Sequence, residues 1–489
     1  MSPLSRRRFL GATLAAGAAT GLLAAGCSLD APLVRSPAPA RPLAIPPLAP
    51  STRDAAGRRV VELVAAPGVA AFLPGVATPT WGYGGLPFGG PTLRARRGED
   101  VVLRVTNRLP ETTTTHWHGA TLPARCDGGP HQPIAPGATW DAAWRIDQPA
   151  ATLWYHPHPH GATERHVHRG LAGLFLVDDD VPVALPDRYG VDDVPLVLTD
   201  RSFTPDGRFD EAHRNAVGLL GDTVLVNGTV APWFTATTTR VRLRVLNASP
   251  ARSYRLAVDD GAPVALVGTD GGLLPAPRTV TDVVLTPGER AEVVVDVTPG
   301  RPRRLRSLPH DLGAVNGVAR AAGGDDAFDL LELRPAARLD PSPPVPAVLS
   351  REVPLDERAV SRTRGFVLRG DRINGRAMDL TRVDEVVPAA ALELWEITNR
   401  HTLPHNLHVH DARMQVLGPG PRAWKDTVAV APGTTVRTLV RVGPYTDPAR
   451  PYMIHCHLLR HEDAGMMLQY LVVGPGQAPA TVLGGHDHG

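Results

Sequence analysis

Lysine and cysteine are both scarce in this chain of 489 residues. Lys425 is the only lysine among 51 basic residues, which we attribute to coding bias before function. There are three cysteines, Cys27, Cys126 and Cys456, and Cys126 has no obvious partner, which argues against a disulfide framework. The formal net charge is only +2, so charge supports neither a nucleic-acid partner nor an anionic membrane surface.

Helical periodicity is also nearly missing after the N-terminus. The chain contains 48 glycines and 50 prolines, a density of turn formers that suits many short strands better than long helices. Its length exceeds that of one β domain and predicts about three units of ordinary size.

The first residues resemble a targeting signal. Residues 5–10, SRRRFL, are similar to a twin-arginine export signal, and an apolar run follows as far as Gly26. Residues 1–27 are therefore excluded from the fold, and we expect a periplasmic or extracellular protein. Residues 24–27, AAGC, are similar to a lipoprotein processing site at which an acylated Cys27 would anchor the protein to a membrane. A simple cleaved signal and an uncleaved anchor are the alternatives, and residues 28–52 read as a Pro-rich tether.

An internal repeat predicts the domain organisation. Three alternating strands end in asparagine, at residues 101–107, 241–247 and 392–399, and each precedes a Pro-Gly turn. The asparagines lie 140 and 152 residues apart, so the repeating unit is a whole domain. We predict an all-β protein of three homologous Greek-key β-sandwiches. The predicted domains span residues 53–182, 190–337 and 355–475, and a histidine-containing tail occupies residues 476–489.

One stretch near the C-terminus has the residues of a copper site. It reads His455-Cys456-His457, followed by His461 and Met466. One cysteine, two histidines and a weak axial methionine form the trigonal site of blue copper centres. On a strand, Cys456 would face one side and the two flanking histidines the other, so two metal centres should meet here.

Further histidines supply the missing ligands. Three pairs have a spacing of two, which places both imidazoles on one strand face: His116 and His118, His156 and His158, and His408 and His410. With His455 and His457 these make eight imidazoles around one cluster, and His405 is left to complete the thiolate site. A single buried histidine is more often a satisfied core residue, but four clusters together make that reading a poor one.

These motifs resemble those of three-domain multicopper oxidases, of the bacterial laccase and cuprous oxidase kind, over about residues 53–473. The resemblance implies that the three sandwiches are cupredoxin-like domains and that the protein holds four copper ions. The type 1 ligands would be His405, Cys456, His461 and Met466. The type 2 ligands would be His116 and His408. The two type 3 ions would be held by His118, His156 and His457, and by His158, His410 and His455. Copper-free relatives that lost these residues exist in the family, whereas every position is filled here.

The resemblance also implies a reaction. A multicopper oxidase couples one-electron oxidation of phenols, aromatic amines or metal ions to the four-electron reduction of dioxygen to water. Asp127 and Glu462 occupy places where the family has acidic residues linked to proton delivery, although each could be merely solvated or structural.

Two alternative functions are a cuprous oxidase and a copper-sequestering protein. The methionine-rich segment of many cuprous oxidases is missing, and His401 and Leu403 stand where such enzymes tend to have Asp and Met. The spare histidines that could still hold metal are His160, His166, His168, His401, His486 and His488.

Overall fold

The computed structural model describes residues 40–179, 183–212, 215–418 and 422–484. Within these ranges the chain is almost entirely β, as predicted, and none of the helices is long and apolar enough to span a membrane. The predicted export signal, Cys27 and the tail histidines lie outside the described residues.

The strands fall into three sets along the chain. The first set is β1 (Arg41–Pro42), β2 (Ser51–Arg53), β3 (Arg59–Ala70), β4 (Thr78–Tyr83), β5 (Leu93–Arg96), β6 (Asp100–Asn107), β7 (His116–His118), β8 (Thr139–Arg145), β9 (Ala151–His156) and β10 (Gly173–Asp178). The second set is β11 (Asp193–Arg201), β12 (Thr223–Val226), β13 (Thr229–Val230), β14 (Pro232–Thr238), β15 (Arg240–Asn247), β16 (Tyr254–Val258), β17 (Val264–Thr269), β18 (Gly272–Val280), β19 (Asp282–Leu285), β20 (Arg290–Asp296), β21 (Arg303–Leu308) and β22 (Phe328–Asp340).

The third set completes the fold. It is β23 (Arg362–Arg369), β24 (Arg372–Ile373), β25 (Glu385–Pro388), β26 (Leu392–Asn399), β27 (His405–Val409), β28 (Ala412–Val416), β29 (Thr427–Val430), β30 (Thr435–Val442), β31 (Asp447–His455) and β32 (Met467–Val473). The short helices are α1 (Thr163–Arg169), α2 (Asn316–Ala321) and α3 (Leu459–Asp463), with 3₁₀ turns at Ala124–Cys126 and Glu357–Ala359.

Each set builds two sheets, and one arrangement occurs in all three. A parallel pair (β3 with β6, β11 with β15, β23 with β26) is followed by an antiparallel partner (β8, β20, β30). Parallel neighbours require a crossover connection, so each domain is a two-sheet sandwich and not a simple meander. The end of the predicted tether packs on the middle domain, because β1 pairs with β14, and β22 continues past the predicted end at residue 337. The other domain boundaries remain predictions.

The three asparagines that end β6, β15 and β26 make matching hydrogen bonds. Asn107, Asn247 and Asn399 are fully buried, and each side-chain amide donates to two backbone carbonyls. The backbone carbonyl of each asparagine accepts the N–H of the glycine in the following Pro-Gly turn, at 2.7, 2.9 and 3.0 Å. The buried amides are thereby satisfied, and each turn is held against its strand end.

The hydrophobic core has two main parts. One continuous cluster runs through the first and third domains and includes Trp117 and Trp395, while a separate cluster fills the middle domain around Leu196 and Val293. The first and third domains therefore pack directly on one another, and residues that end their facing strands can form one shared site.

Candidate metal centre

Three elements bring together His405, Cys456 and His461, called the thiolate group below. His405 begins β27, Cys456 follows the last residue of β31, and His461 lies in α3. The Cys456 Sγ lies 3.5 Å from His405 Nδ1 and 3.7 Å from His461 Nδ1, and the two nitrogens are 3.1 Å apart. Met466 is fully buried, and its carbonyl accepts the Cys456 N–H at 3.1 Å. One sulfur and two nitrogens thus form the triangle that a trigonal copper site needs.

The outer nitrogens fix which atoms face inward. His461 Nε2 donates to the Ala216 carbonyl at 2.9 Å, which leaves the Nδ1 lone pair pointing at Cys456. Burial, with the neighbouring His461, lowers the pKa of His405 to about 2, and burial raises the pKa of the Cys456 thiol to about 12. A bound cation would supply the positive charge that stabilises the deprotonated form of Cys456 in this buried position.

The histidine cluster lies where strands from the first and third domains end. In the first domain β7 pairs with β9 so that His116 lies opposite His156, and in the third β27 pairs with β31 so that His408 lies opposite His455. This register brings the two histidines of each pair together at one end of their strands. Three buried groups result, each with ligand atoms within 4.8 Å of one another: His116, His118 and His408; His118, His156 and His457; and His158, His410 and His455.

The group of His158, His410 and His455 turns three Nε2 atoms toward one point. His455 Nε2 lies 3.1 Å from His158 Nε2 and 3.2 Å from His410 Nε2. The Nδ1 atoms face carboxylates instead, at 2.7 Å from Asp127 for His410 and at 3.3 and 3.1 Å from Glu462 for His158 and His455. With the protons on the Nδ1 atoms that face these carboxylates, the three inward lone pairs face one another, an arrangement that a shared cation stabilises.

His116 and His408 form the predicted type 2 pair. Their Nδ1 atoms donate to the backbone carbonyls of Asp127 and Asp426, both at 2.9 Å. Their Nε2 atoms are buried, and neither has a hydrogen-bond partner in the described part of the chain. Buried unpartnered nitrogens are costly unless a ligand satisfies them, so this pair also fits a metal ion.

The group of His118, His156 and His457 repeats the pattern. His156 Nδ1 donates to the Pro157 carbonyl at 2.8 Å and His118 Nε2 to Asp426 Oδ1 at 3.0 Å, so the inward atoms are His156 Nε2 and His118 Nδ1, 3.4 Å apart. Both ring nitrogens of His457 lack a hydrogen-bond partner among the described residues.

Burial favours the neutral form of several imidazoles of the cluster. Burial, followed by repulsion from neighbouring imidazoles, lowers the pKa of His118, His156, His408 and His410 well below the usual value. Burial also lowers the pKa of His158 and of His457 to about 3. Neutral imidazole is the form that binds metals, and this donor set of imidazole and thiolate suits copper.

Asp127 and Glu462 are both buried at the cluster, where the sequence placed them. Asp127 ends the 3₁₀ turn Ala124–Cys126, and Glu462 lies in α3 next to His461. Each carboxylate contacts ligand imidazoles directly, so both can orient the rings and both are close enough to exchange protons with them. Trp117, between His116 and His118 in the sequence, packs among Trp140, Trp144 and Tyr155.

Sequence reasoning missed three residues at this centre. Asp426 accepts from His118, Arg290 pairs with Asp426, and Asn406 accepts the His457 N–H at 2.7 Å. The position of Asn406 between His405 and His408 was a usable signal. Arg290 could have been found by aligning the three Pro-Gly turns, since only the middle one is followed by arginine at this position.

The spare histidines take other roles. His401 Nδ1 lies 3.0 Å from His405 Nε2, and His166 bonds to Glu111 and Thr113. Within the described ranges, neither they nor His160 and His168 join a group of three or more side chains that could hold a metal ion.

Comparison with known proteins agrees with this centre. Residues 66–181 and 340–475 each match a family profile described as multicopper oxidase. The chain is 31% identical over 438 residues to the multicopper oxidase mco of Staphylococcus haemolyticus, covering 87% of this chain and 91% of that protein. It is also 34% identical over 486 residues to the cell division protein FtsP of Escherichia coli, covering 96% and 99%.

Solved structures show the same architecture. A laccase from Pediococcus acidilactici superposes with a TM-score of 0.80 at 33% identity, covering 90% of this chain and 95% of that one. Since the sequence matches include both domains that contribute the histidine motifs, and the fold match extends through the middle domain, the chain belongs to the multicopper oxidase family.

Proposed function

We propose that this protein is an exported oxidase that takes single electrons from a reducing substrate at a type 1 copper and passes them to dioxygen at a trinuclear cluster. The observation that carries the proposal is the arrangement around Cys456. Its thiol joins the group of His405 and His461, while the neighbouring His455 and His457 belong to two groups of the cluster. One tripeptide therefore links an electron-entry site covalently to the site proposed for dioxygen.

Each part of the chain has a definite task in this scheme. Bound copper supplies one-electron chemistry at the thiolate and a binding place for dioxygen among the eight imidazoles. The chain fixes the tautomers of His116, His118, His156 and His408 by hydrogen bonds, and it keeps all eight imidazoles from bulk water, since each is at most 1% exposed. Fixed, dry ligands need little reorganisation during electron transfer.

We assign proton delivery to Asp127 and Glu462. Reduction of dioxygen to water consumes protons, and these carboxylates lie on the outer nitrogens of ligand imidazoles, Asp127 at His410 and Glu462 at His158 and His455. The variants Asp127→Asn and Glu462→Gln should keep the visible absorption of the copper thiolate and slow dioxygen consumption. Unchanged turnover in both would refute the assignment.

The electron donor is proposed to react beside His405. The cavity there has a volume of only about 20 Å³ and is lined chiefly by apolar side chains such as Leu312 and Leu458. This is room for about one water molecule, so a phenol or aromatic amine must bind at its mouth. A metal ion such as Cu(I) needs less room, and the half-buried His401, which contacts His405 but does not line this cavity, is the imidazole that we propose receives it. The small cavity thus favours cuprous oxidase as the second candidate.

The deciding experiment loads the purified protein with copper and follows dioxygen consumption with an aromatic donor and with Cu(I) in parallel, corrected for spontaneous Cu(I) oxidation. Faster use of the aromatic donor supports an organic substrate. Preference for Cu(I) that His401→Ala weakens supports the metal-ion donor.

Non-catalytic roles are separated by the same assay. A copper-sequestering protein needs affinity alone, and the name of the Escherichia coli relative suggests a role in cell division. The complete set of three histidine groups beside a thiolate group supports turnover. Turnover of about 1 per second, typical of enzymes, would exclude sequestration alone, and its absence in a fully loaded protein would exclude the oxidase.

Export is proposed from the N-terminal motif. Replacing Arg6 and Arg7 by lysine should retain the protein in the cytoplasm if the twin-arginine route is used. Replacing Cys27 by serine should leave export intact and release the protein from membranes only if Cys27 is acylated, which cell fractionation would show.

A further inference from the structure

Arg290 of the middle domain is fully buried against the other two domains. Its side chain donates to the carbonyls of Thr152, Gly288 and Asp270 at 2.9, 3.0 and 2.8 Å, and to both carboxylate oxygens of Asp426 at 2.8 and 2.6 Å. Thr152 belongs to the first domain and Asp426 precedes β29 of the third. A buried charge with this many partners is held in one geometry.

Asp426 links Arg290 to two imidazoles of the cluster. Its Oδ1 accepts from His118 Nε2 at 3.0 Å, and its backbone carbonyl accepts from His408 Nδ1 at 2.9 Å. The inward atoms of both rings are thereby fixed as Nδ1 and Nε2. There is no spare room, because a Cβ on Gly119 would lie 2.6 Å from Asp426 Oδ2 and 2.7 Å from Arg290 Nη2.

The Pro-Gly turns of the three domains provide an internal comparison. A Cβ at Gly288 would lie 3.1 Å from three atoms of the His457 ring, whereas at Gly137 and Gly433 it would meet no described atom within 4 Å. At the position of Arg290 the other turns have the exposed Thr139 and Thr435. The middle turn alone therefore faces the cluster.

The same turn also reaches the strand between the two centres. The Asn406 side-chain amide donates to Thr286 Oγ1 at 3.1 Å and to the Pro287 carbonyl at 2.8 Å. The Asn406 Oδ1 in turn accepts the His457 N–H. Residues 286–290 thus contact three parts of the chain that carry candidate ligands: β9, β27 and residues 455–457.

We propose that residues 286–290 are a positioning element of the cluster, in which Arg290 acts through Asp426 on His118 and His408. No described residue of the middle domain joins a group that could hold a metal ion, yet residues 286–290 set the tautomer and direction of imidazoles from both other domains. This role presupposes the copper sites proposed above. Residues that orient a ligand imidazole typically change metal affinity ten- to hundred-fold, and we expect about that loss at the sites of His118 and His408.

The test compares copper loading of wild type, Arg290→Gln, Arg290→Lys and Asp426→Asn. Arg364→Gln is the matched control, because Arg364 is also buried and pairs with carboxylates but hydrogen-bonds only to Glu393, Glu385 and Val386. Copper is counted per protein, the thiolate absorption reports the type 1 site, and electron paramagnetic resonance reports the type 2 site. Circular dichroism of the metal-free variants verifies the fold.

We expect Arg290→Gln and Asp426→Asn to keep the thiolate absorption and to lose the type 2 signal at limiting copper. Arg290→Lys should recover part of it, since the charge remains without the paired geometry. The control should match wild type in every copper signal. Equal loading of wild type and both Arg290 variants, or equal losses in Arg364→Gln, would overturn the positioning role alone, whereas a wild type without thiolate absorption would overturn the copper sites with it.

Discussion

Replacing the turn glycines by alanine separates backbone strain from contact with the cluster. Gly137, Gly288 and Gly433 have φ values of +80°, +85° and +72°, a region that costs a residue with a Cβ about 1 to 2 kcal/mol. That cost should be shared by Gly137→Ala, Gly288→Ala and Gly433→Ala. Only Gly288→Ala also forces a methyl group to 3.1 Å from the His457 ring, which is closer than ordinary van der Waals contact.

The expected result is therefore a difference in copper, not in fold. All three metal-free variants should lose about 1 to 2 kcal/mol of unfolding free energy in denaturant titration through strain in the turn, and Gly288→Ala should lose more because its methyl group crowds the buried His457 ring. Gly288→Ala alone should lose copper from the group of His118, His156 and His457, measured as copper per protein beside an unchanged thiolate absorption. Full copper loading of Gly288→Ala, or equal copper losses in Gly137→Ala and Gly433→Ala, would refute the packing of this turn on the cluster.

Three further outcomes are expected. Cys456→Ser should abolish the visible thiolate absorption and donor oxidation together, while copper at the histidine cluster stays; retention of either property would refute the type 1 assignment. Lys425→Met leaves two buried carboxylates without their ammonium and should cost about 3 to 5 kcal/mol in metal-free unfolding. Two arginines hold the pKa of the buried Glu292 at about 2, against the effect of burial. Its contribution is present above pH 4.5 and lost as pH falls toward 2, so Glu292→Gln should flatten that part of the stability profile.

The fold was predictable because its signals are local. Alternating strands and paired turn residues lie within short windows, and the domain-length repeat presents them three times. Asn107 and its two counterparts make the same hydrogen bonds in each copy. The tether was harder to delimit, since the pairing of Arg41–Pro42 with β14 depends on a strand almost two hundred residues away. No local pattern in a Pro-rich segment reports such a partner.

The candidate ligands were predictable for a related reason. A spacing of two on one strand fixes a shared face, so each histidine pair carried its own geometry. The strand assumption was only partly needed, because β31 ends at His455 and β9 at His156, with Cys456, His457 and His158 just beyond. The chain still sends the thiol and the flanking rings to different groups.

Residues that orient the candidate ligands left weaker signals, namely the position of Asn406 between two histidines and the arginine after the middle Pro-Gly turn. Asp426 is one carboxylate among 49 acidic residues, and Arg290 one of 50 arginines, until folding brings them together across a domain boundary. Both residues matter because they are buried and paired with each other, and the residue type alone reveals neither property. The middle domain accordingly reads in sequence as a spacer, because ligands can be recognised by type and their supports cannot.

The lone lysine belongs to the same supports, which weakens coding bias as its explanation. Lys425 Nζ lies 3.0 Å from Asp270 and 2.7 Å from Glu289, both in the middle domain, and Asp270 also accepts the backbone N–H of Arg290 at 2.7 Å. Asp270 thus contacts both cationic residues, because its backbone carbonyl also accepts from the Arg290 guanidinium at 2.8 Å. A compact ammonium can contact both carboxylates where a second planar fork would need more room. Composition bias explains why arginine is used elsewhere, whereas the crowding beside Arg290 gives a physical reason for lysine here.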